Sequence, residues 1–257
     1  MRPGTLGILQ ARVSSKRLPG KVLLPILGRP MLALHLERVQ RARTLTQLVV
    51  ATSVDASDDP IEELCSGEGV ACFRGSLDDV LDRYHSAVTR YAPEHVVRLT
   101  GDCPLADPEI IDAVVLFHRT GGFDYTSSDL DPTFPDGLDV EVVRASVLDA
   151  AWREARLRSE REHVTLWVYS RPDRFRMGSF REHEDLSWMR WTVDEPEDYA
   201  FVSRVFERLY AKNPGFGMAD VLALLEREPG LGAINQGIRR NEGLARSLRE
   251  DRRGAEG

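Results

Sequence analysis

Short apolar runs alternate with amphipathic stretches along this chain, and that alternation narrows the folds open to it. TLGILQ (5–10), QLVVATS (47–53), VACF (70–73), HVVRLT (95–100) and MRWTV (189–193) read as strands. PMLALHLERVQRA (30–42) and SLDDVLDRYHSAVTRYA (76–92) read as helices. In the second, Leu77, Val80, Leu81, Tyr84, Val88 and Tyr91 recur at helical spacing. Ser76 would cap it, with Asp78 and Asp79 favourable in the first turn. Pro108 opens another helix, and 196–211 and 218–228 give two more. DYTSS (124–128) and GLDVEVV (137–143) add strands in a less regular second half. Strands separated by helical stretches of about 10–15 residues predict an α/β fold, with a mixed, mainly parallel sheet and helices on both faces. Residues 1–212 are expected to form the main domain and 213–257 a helical appendage and tail, the last stretch EDRRGAEG being disordered.

The chain has 257 residues, 42% of them apolar, enough for a sizeable core. No apolar stretch approaches the roughly 20 residues that span a bilayer. The first residues lack the pattern of a signal peptide. Cys65, Cys72 and Cys103 have no CxxC spacing. A cytoplasmic protein with free thiols and no membrane partner is expected. A net charge of −7 argues against a broad nucleic-acid surface.

On this acidic background QARVSSKRLPGK (10–21) gathers Arg12, Lys16, Arg17 and Lys21 directly after the first strand. Ligands of open α/β sheets bind at that edge. Neither GxxxxGK[ST] nor GxGxxG is present. Ala11, Ser14 and Ser15 are small enough to let backbone N–H groups reach phosphates. Arg12 and Arg17 can fork across phosphate oxygens, and Lys21 can act as a point charge. A solvated basic loop is the competing reading. Asp102 lies just past the strand 95–100, and Asp194 just past 189–193. Two hard oxygen donors at one edge suit a Mg²⁺ ion that keeps several waters and takes phosphate oxygens. Helix capping or turn formation is the alternative for each.

The stretches QARVSSKRLPGKVL (10–23), GSLDDVLDRYHSA (75–87), RLTGDCPLADP (98–108), FPDGLDVEV (134–142), SEREHVT (159–165), RWTVDEPEDYAFV (190–202) and INQGIRRNEGLARSL (234–248) together resemble the SpsF-like branch of the cytidylyltransferases. Acylneuraminate and 3-deoxy-manno-octulosonate cytidylyltransferases are its relatives. The resemblance covers nearly the whole chain and implies a Rossmann-like nucleotidyltransferase fold. It implies that Arg12, Ser15, Arg17 and Lys21 hold a triphosphate and that Asp102 and Asp194 bind Mg²⁺. It implies that Arg12, Lys21 and Asp102 are catalytic, with Gln10, Ala11, Thr100 and Gly101 around the nucleotide. The implied reaction joins CTP and an acidic sugar into a CMP-sugar, with release of pyrophosphate. Gln10 stands where many relatives have Pro, and Cys103 where many octulosonate enzymes have Glu, which puts the base and the acceptor in question. The resemblance and the appended C-terminal segment together make a homodimer an expectation.

The base is expected at the ends of the second and third strands, read by Thr52, Ser53, Arg74 and Ser76. Ordinary turn roles compete for Thr52 and Ser53. Asp79 and Arg83 stand four apart on a helix, as an ion pair or, by the resemblance, as site residues. Asp139 and Glu141 share one face of a strand, and Arg161 and His163 add donors, so these four are the acceptor-binding set. A core role competes for His163, and Trp188 and Trp191 read as core. Another nucleotide such as GTP, a sugar-phosphate acceptor, a glycosyltransferase using DLD (129–131) and a non-catalytic nucleotide binder are the competing functions.

Overall fold

The structure is a computed structural model that describes residues 4–15, 17–238, 240 and 242–255. Lys16 of the basic loop and residues 256–257 of the expected tail lie outside the described residues. In chain order the elements are β1 (Thr5–Gln10), β2 (Pro25–Ile26), β3 (Arg29–Pro30), α1 (Met31–Val39), β4 (Gln47–Ser53), α2 (Asp59–Gly67), β5 (Ala71–Gly75) and α3 (Val80–Tyr91). Then come β6 (His95–Thr100), α4 (Pro108–Gly121), β7 (Tyr125–Ser127), β8 (Glu141–Arg144), α5 (Ala145–Glu154), α6 (Arg158–Glu162) and α7 (Leu166–Tyr169). The rest are β9 (Met177–Ser179), α8 (Pro196–Leu209), α9 (Met218–Arg227), α10 (Pro229–Gly232) and α11 (Glu242–Ala255).

Among the described residues seven strands form one sheet in the order β5-β4-β1-β6-β8-β7-β9. β5, β4, β1 and β6 run parallel, and β8 runs antiparallel to both β6 and β7. The period of two along each strand divides the core. Leu6 and Ile8 of β1, Val49 and Ala51 of β4 and Val96 of β6 join one apolar cluster with α3, α5 and α7. Leu9, Val50, Val97 and Leu99 join the other, with α1, α2, α4, α8 and α9. The mainly parallel sheet covered on both faces is thus as the alternation of runs predicts. Phe216, Val221, Leu224 and Leu231, from the segment expected to be an appendage, are buried in that second cluster.

Four local expectations need correction. Residues 189–193 form no ladder; the backbone bridges only at Asp136 and Arg190, and Arg190 is held through its side chain. Helix α3 begins at Val80 rather than 76, because Asp79 is its cap and accepts from Asp82 N at 2.9 Å; Ser76 Oγ accepts from Asp79 N one step earlier. Trp188 is 65% exposed, whereas Trp191 is core. The stretch expected to be a disordered tail is helical through Ala255, as part of α11.

Candidate active site

The carboxyl ends of β1, β4, β5 and β6 lie on one edge because the four strands are parallel. The loop after β1 is folded on itself. Gly20 N donates to Val13 O at 3.0 Å, and Ser15 Oγ accepts from Leu18 N at 3.4 Å. Asp58 fastens the loop, accepting from Val13 N at 2.7 Å and, through its other oxygen, from Ser53 N and Oγ. Gly101, at the end of β6, presses onto the same loop. Its N–H donates to Gln10 O at 2.7 Å, and a β-carbon there would stand 3.0 Å from that oxygen.

Lys21 joins the site together. Its ammonium donates to Asp102 Oδ2 at 3.0 Å, Asp194 Oδ1 at 2.8 Å and Val193 O at 2.7 Å. Burial opposes this charge, but the two carboxylates outweigh it and raise the lysine pKa above its ordinary value. Burial likewise opposes ionisation of Asp102, and Lys21 with Thr100 holds it well below the usual carboxylate range. Asp194 does not cap α8. The cap is Glu195, and Asp198 Oδ2 accepts the N–H groups of Asp194 and Glu195, each at 3.0 Å. Asp194 is left facing Lys21, Arg17 at 2.7 Å and Arg190 at 3.5 Å. Two hard carboxylates therefore converge on one point, occupied here by an ammonium. That donor set fits a divalent cation that completes its shell with water and phosphate oxygens.

Two adjoining cavities of about 310 and 520 Å³ open over this edge. Both are lined by Arg12, Arg17, Arg98, Thr100, Asp102, His163 and Asp194. Gln10, Ala11, Ser15, Lys21 and Gly101 line the smaller, and Asp139 and Glu141 the larger. Thirteen of the nineteen expected site residues line these two cavities; they come from β1, its loop, the end of β6 and the residues just after it, the 137–141 stretch, the end of α6 and the turn before α8. Arg12 pairs with none of the described side chains.

The other six expected site residues line neither cavity. Thr52 and Ser53 are fully buried, and Ser53 is held by Asp58. Arg74 turns outward to Asp59 at 2.6 Å and Glu62 at 2.8 Å, and donates to Ser53 O. Asp79 pairs with Arg161 at 2.6 Å, and Ser76 supports that corner. Arg83 donates to Ser76 O, so Asp79 and Arg83 do not form the expected helical pair. Arg161 is thereby spent on fixing α6 against α3. In DLD, Asp129 pairs with Arg240 and Asp131 with Arg181, so the two carboxylates do not converge on a metal.

Several lining groups escape sequence reasoning. Arg98 of β6 grips Glu141 of β8 across the sheet, a pairing that only the register fixes. Asp136 and Asp139 surround Arg240 with Asp129. Arg158, Glu162, Arg246 and Ser247 reach the smaller cavity from α6 and α11. The quoted stretches SEREHVT and INQGIRRNEGLARSL contain three of these four, Glu162, Arg246 and Ser247, but carry no metal-ligand or phosphate pattern that would mark them.

Burial and neighbouring carboxylates push Asp139 up to about 7 and Asp136 up to about 6. A carboxyl with a higher pKa folded than unfolded costs stability as pH rises from the unfolded value through the folded one. Asp139→Asn should therefore melt a few degrees above wild type at pH 8, with the gain gone by pH 4. Equal melting differences at both pH values would refute the assignment.

A mainly parallel sheet with a cationic loop after its first strand and two carboxylates at the same edge defines a nucleotidyltransferase. A family model described as Cytidylyltransferase matches residues 6–216, and the chain belongs to that family. It is 34% identical over 231 residues to the spore coat polysaccharide biosynthesis protein SpsF of Bacillus subtilis, covering 87% of this chain and 95% of that one. It is 40% identical over 119 residues to the 3-deoxy-manno-octulosonate cytidylyltransferase of Zea mays, covering 45% and 39% of the two chains. The solved structure of a cytidylyltransferase from Leptospira borgpetersenii superposes with a TM-score of 0.87 at 33% identity, covering 93% of this chain and all of that one. The resemblance read from the motifs is thus borne out, as is the nucleotidyltransferase fold. Among the described residues no helix is long and apolar enough to cross a membrane.

Proposed function

We propose that the protein transfers CMP from CTP to a hydroxyl of an acidic sugar, releasing pyrophosphate, in the synthesis of a surface or coat polysaccharide. The observation that carries this reading is the convergence of Asp102 and Asp194 on Lys21 beside the triphosphate loop. The activity of the Zea mays relative supports the nucleotide and the acid class of the acceptor, and the role of the Bacillus subtilis relative supports the polysaccharide.

Arg12, Arg17 and Lys21 would neutralise the triphosphate and the departing pyrophosphate. The acceptor oxygen forms a bond to the α-phosphorus while the bond to the β-phosphate oxygen breaks, and the acceptor proton is lost. Asp102 and Asp194 would hold Mg²⁺, which when bound supplies charge stabilisation at the α-phosphate. The larger cavity would take the acceptor, with Asp139, Glu141 and His163 facing its hydroxyls. Arg98 has a buried Nε–H without a partner, a donor suited to the acceptor's carboxylate.

The test is pyrophosphate release with CTP, UTP, GTP or ATP against a panel of acidic sugars and sugar phosphates. CTP with a sugar acid is the expected pair; turnover with GTP or a sugar phosphate instead would replace this reading. Asp102→Asn and Asp194→Asn should each lower turnover on the order of a hundredfold, because a neutral amide is a poor hard-cation ligand. The double variant should be little worse than the worse single one, since the pair acts as a unit. Additive losses across a Mg²⁺ titration would separate the two residues.

A further inference from the structure

Asp58 belongs to none of the motifs picked out in the sequence, yet it joins the basic loop to the sheet. It ends a short 3-10 turn (Ala56–Asp58) just before α2 and is fully buried. One carboxylate oxygen accepts from Val13 N at 2.7 Å. The other accepts from Ser53 N at 3.1 Å and from Ser53 Oγ at 2.5 Å. Asp58 makes no ion pair among the described residues. Burying a carboxylate without a paired cation is unfavourable, and only its hydrogen bonds offset that here. A charge kept in such a place asks for more than a spacer between two segments.

Val13 is the pivot of the loop. Its carbonyl accepts from Ser15 N at 2.8 Å and Gly20 N at 3.0 Å, which closes the loop, while its own N–H goes to Asp58. On either side of it the N–H groups of Arg12 and Ser14 have no acceptor among the described residues. Unclaimed N–H groups close together on a loop form a cradle for an anion. We propose that Asp58 is the positioning residue of the phosphate loop, pinning Val13 to the carboxyl end of β4 so that the Arg12 and Ser14 N–H groups face the triphosphate.

The inference rests on the reading of the loop as a triphosphate site and adds the group that sets its shape. Ser53, the other partner of Asp58, ends β4 beside Thr52, whose buried Oγ1 has no partner. One carboxylate therefore keeps the loop in register with the strand end where the base is expected. Only a carboxylate serves both sides. An amide has a single accepting oxygen, and its NH₂ would turn toward either the Val13 or the Ser53 N–H.

The experiment is calorimetric titration of CTP, CMP and inorganic tripolyphosphate, each with Mg²⁺, into the full chain and into Asp58→Asn. Tripolyphosphate probes the loop alone, and CMP lacks the β- and γ-phosphates. The variant should bind CTP and tripolyphosphate roughly ten- to a hundredfold more weakly, the worth of one charge-assisted hydrogen bond, and CMP nearly as wild type does. Ser53→Ala, which keeps the Val13 contact, should lose less. A purely structural brace would lower the melting temperature and leave the ratio of CTP to CMP affinity unchanged. A folded Asp58→Asn protein that binds tripolyphosphate like wild type, or that loses CTP and CMP affinity equally, overturns the inference while leaving the CTP reading intact. A wild type that binds neither CTP nor tripolyphosphate overturns both. Hydrogen exchange on wild type serves if the variant does not fold. Tripolyphosphate should slow exchange in residues 53–58 as well as in the loop, and unchanged exchange in 53–58 also overturns the inference.

Discussion

Lys21→Met should lower turnover on the order of a hundred- to a thousandfold, the usual cost of removing a group that stabilises transferring phosphate. The same substitution withdraws an ammonium that, among the described residues, touches both Asp102 and Asp194 through a single atom. Asp102 then loses its ammonium partner while Asp194 keeps Arg17 and Arg190, so the variant should melt below wild type without divalent ions. Added Mg²⁺ should recover much of that loss and raise the variant's melting temperature more than the wild type's, because it fills the vacated point. Turnover close to wild type in a folded variant would remove Lys21 from the chemistry. A melting temperature indifferent to Mg²⁺ would remove the shared-cation account of the carboxylates.

Asp198→Ala should be the most damaging change to stability. Asp198 is fully buried and accepts from Arg190 Nε and Nη2, each at 2.9 Å, from Asn235 Nδ2 and from two backbone N–H groups. Removing one partner of a buried pair costs about 3–5 kcal/mol, because the charge left behind is unpaired. At this chain length that corresponds to a melting temperature roughly 10 °C lower. Turnover should fall too, since the turn that presents Asp194 loses its anchor. Urea unfolding gives the first number and steady-state kinetics the second. A loss below about 1 kcal/mol would place Asp198 among ordinary caps.

The parts of this fold that could be read in the sequence are those with a local cause. Gly7, Ile8 and Leu9 lie in a run that can only be a buried strand, and β4 and β6 follow the same logic. Strand 189–193 misled because MRWTV has the composition of a strand, while its backbone groups pair with Asp136, Asp102 and Leu186 and with the side chains of Lys21 and Asn235 rather than along a neighbouring strand. The meeting of the 10–21 loop with Asp102 and Asp194 at one edge was legible because each follows an apolar run directly. Arg74 and Asp79 were not, since nothing local states that Asp59 and Arg161 will claim them. Helix α11 was missed for a related reason. Its sequence is strongly polar, and its one buried hydroxyl, Ser247, finds its partners 84 and 85 positions earlier.

Lys21 meets Asp102 across 81 positions and Asp194 across 173. Contacts so distant in sequence pay loop-closure entropy before they return any energy, and they form late in folding. The halves of the sheet can pair while this junction is still open. During refolding, recovery of turnover should therefore lag behind recovery of helical signal, and the catalytic assay would report the last stage of assembly.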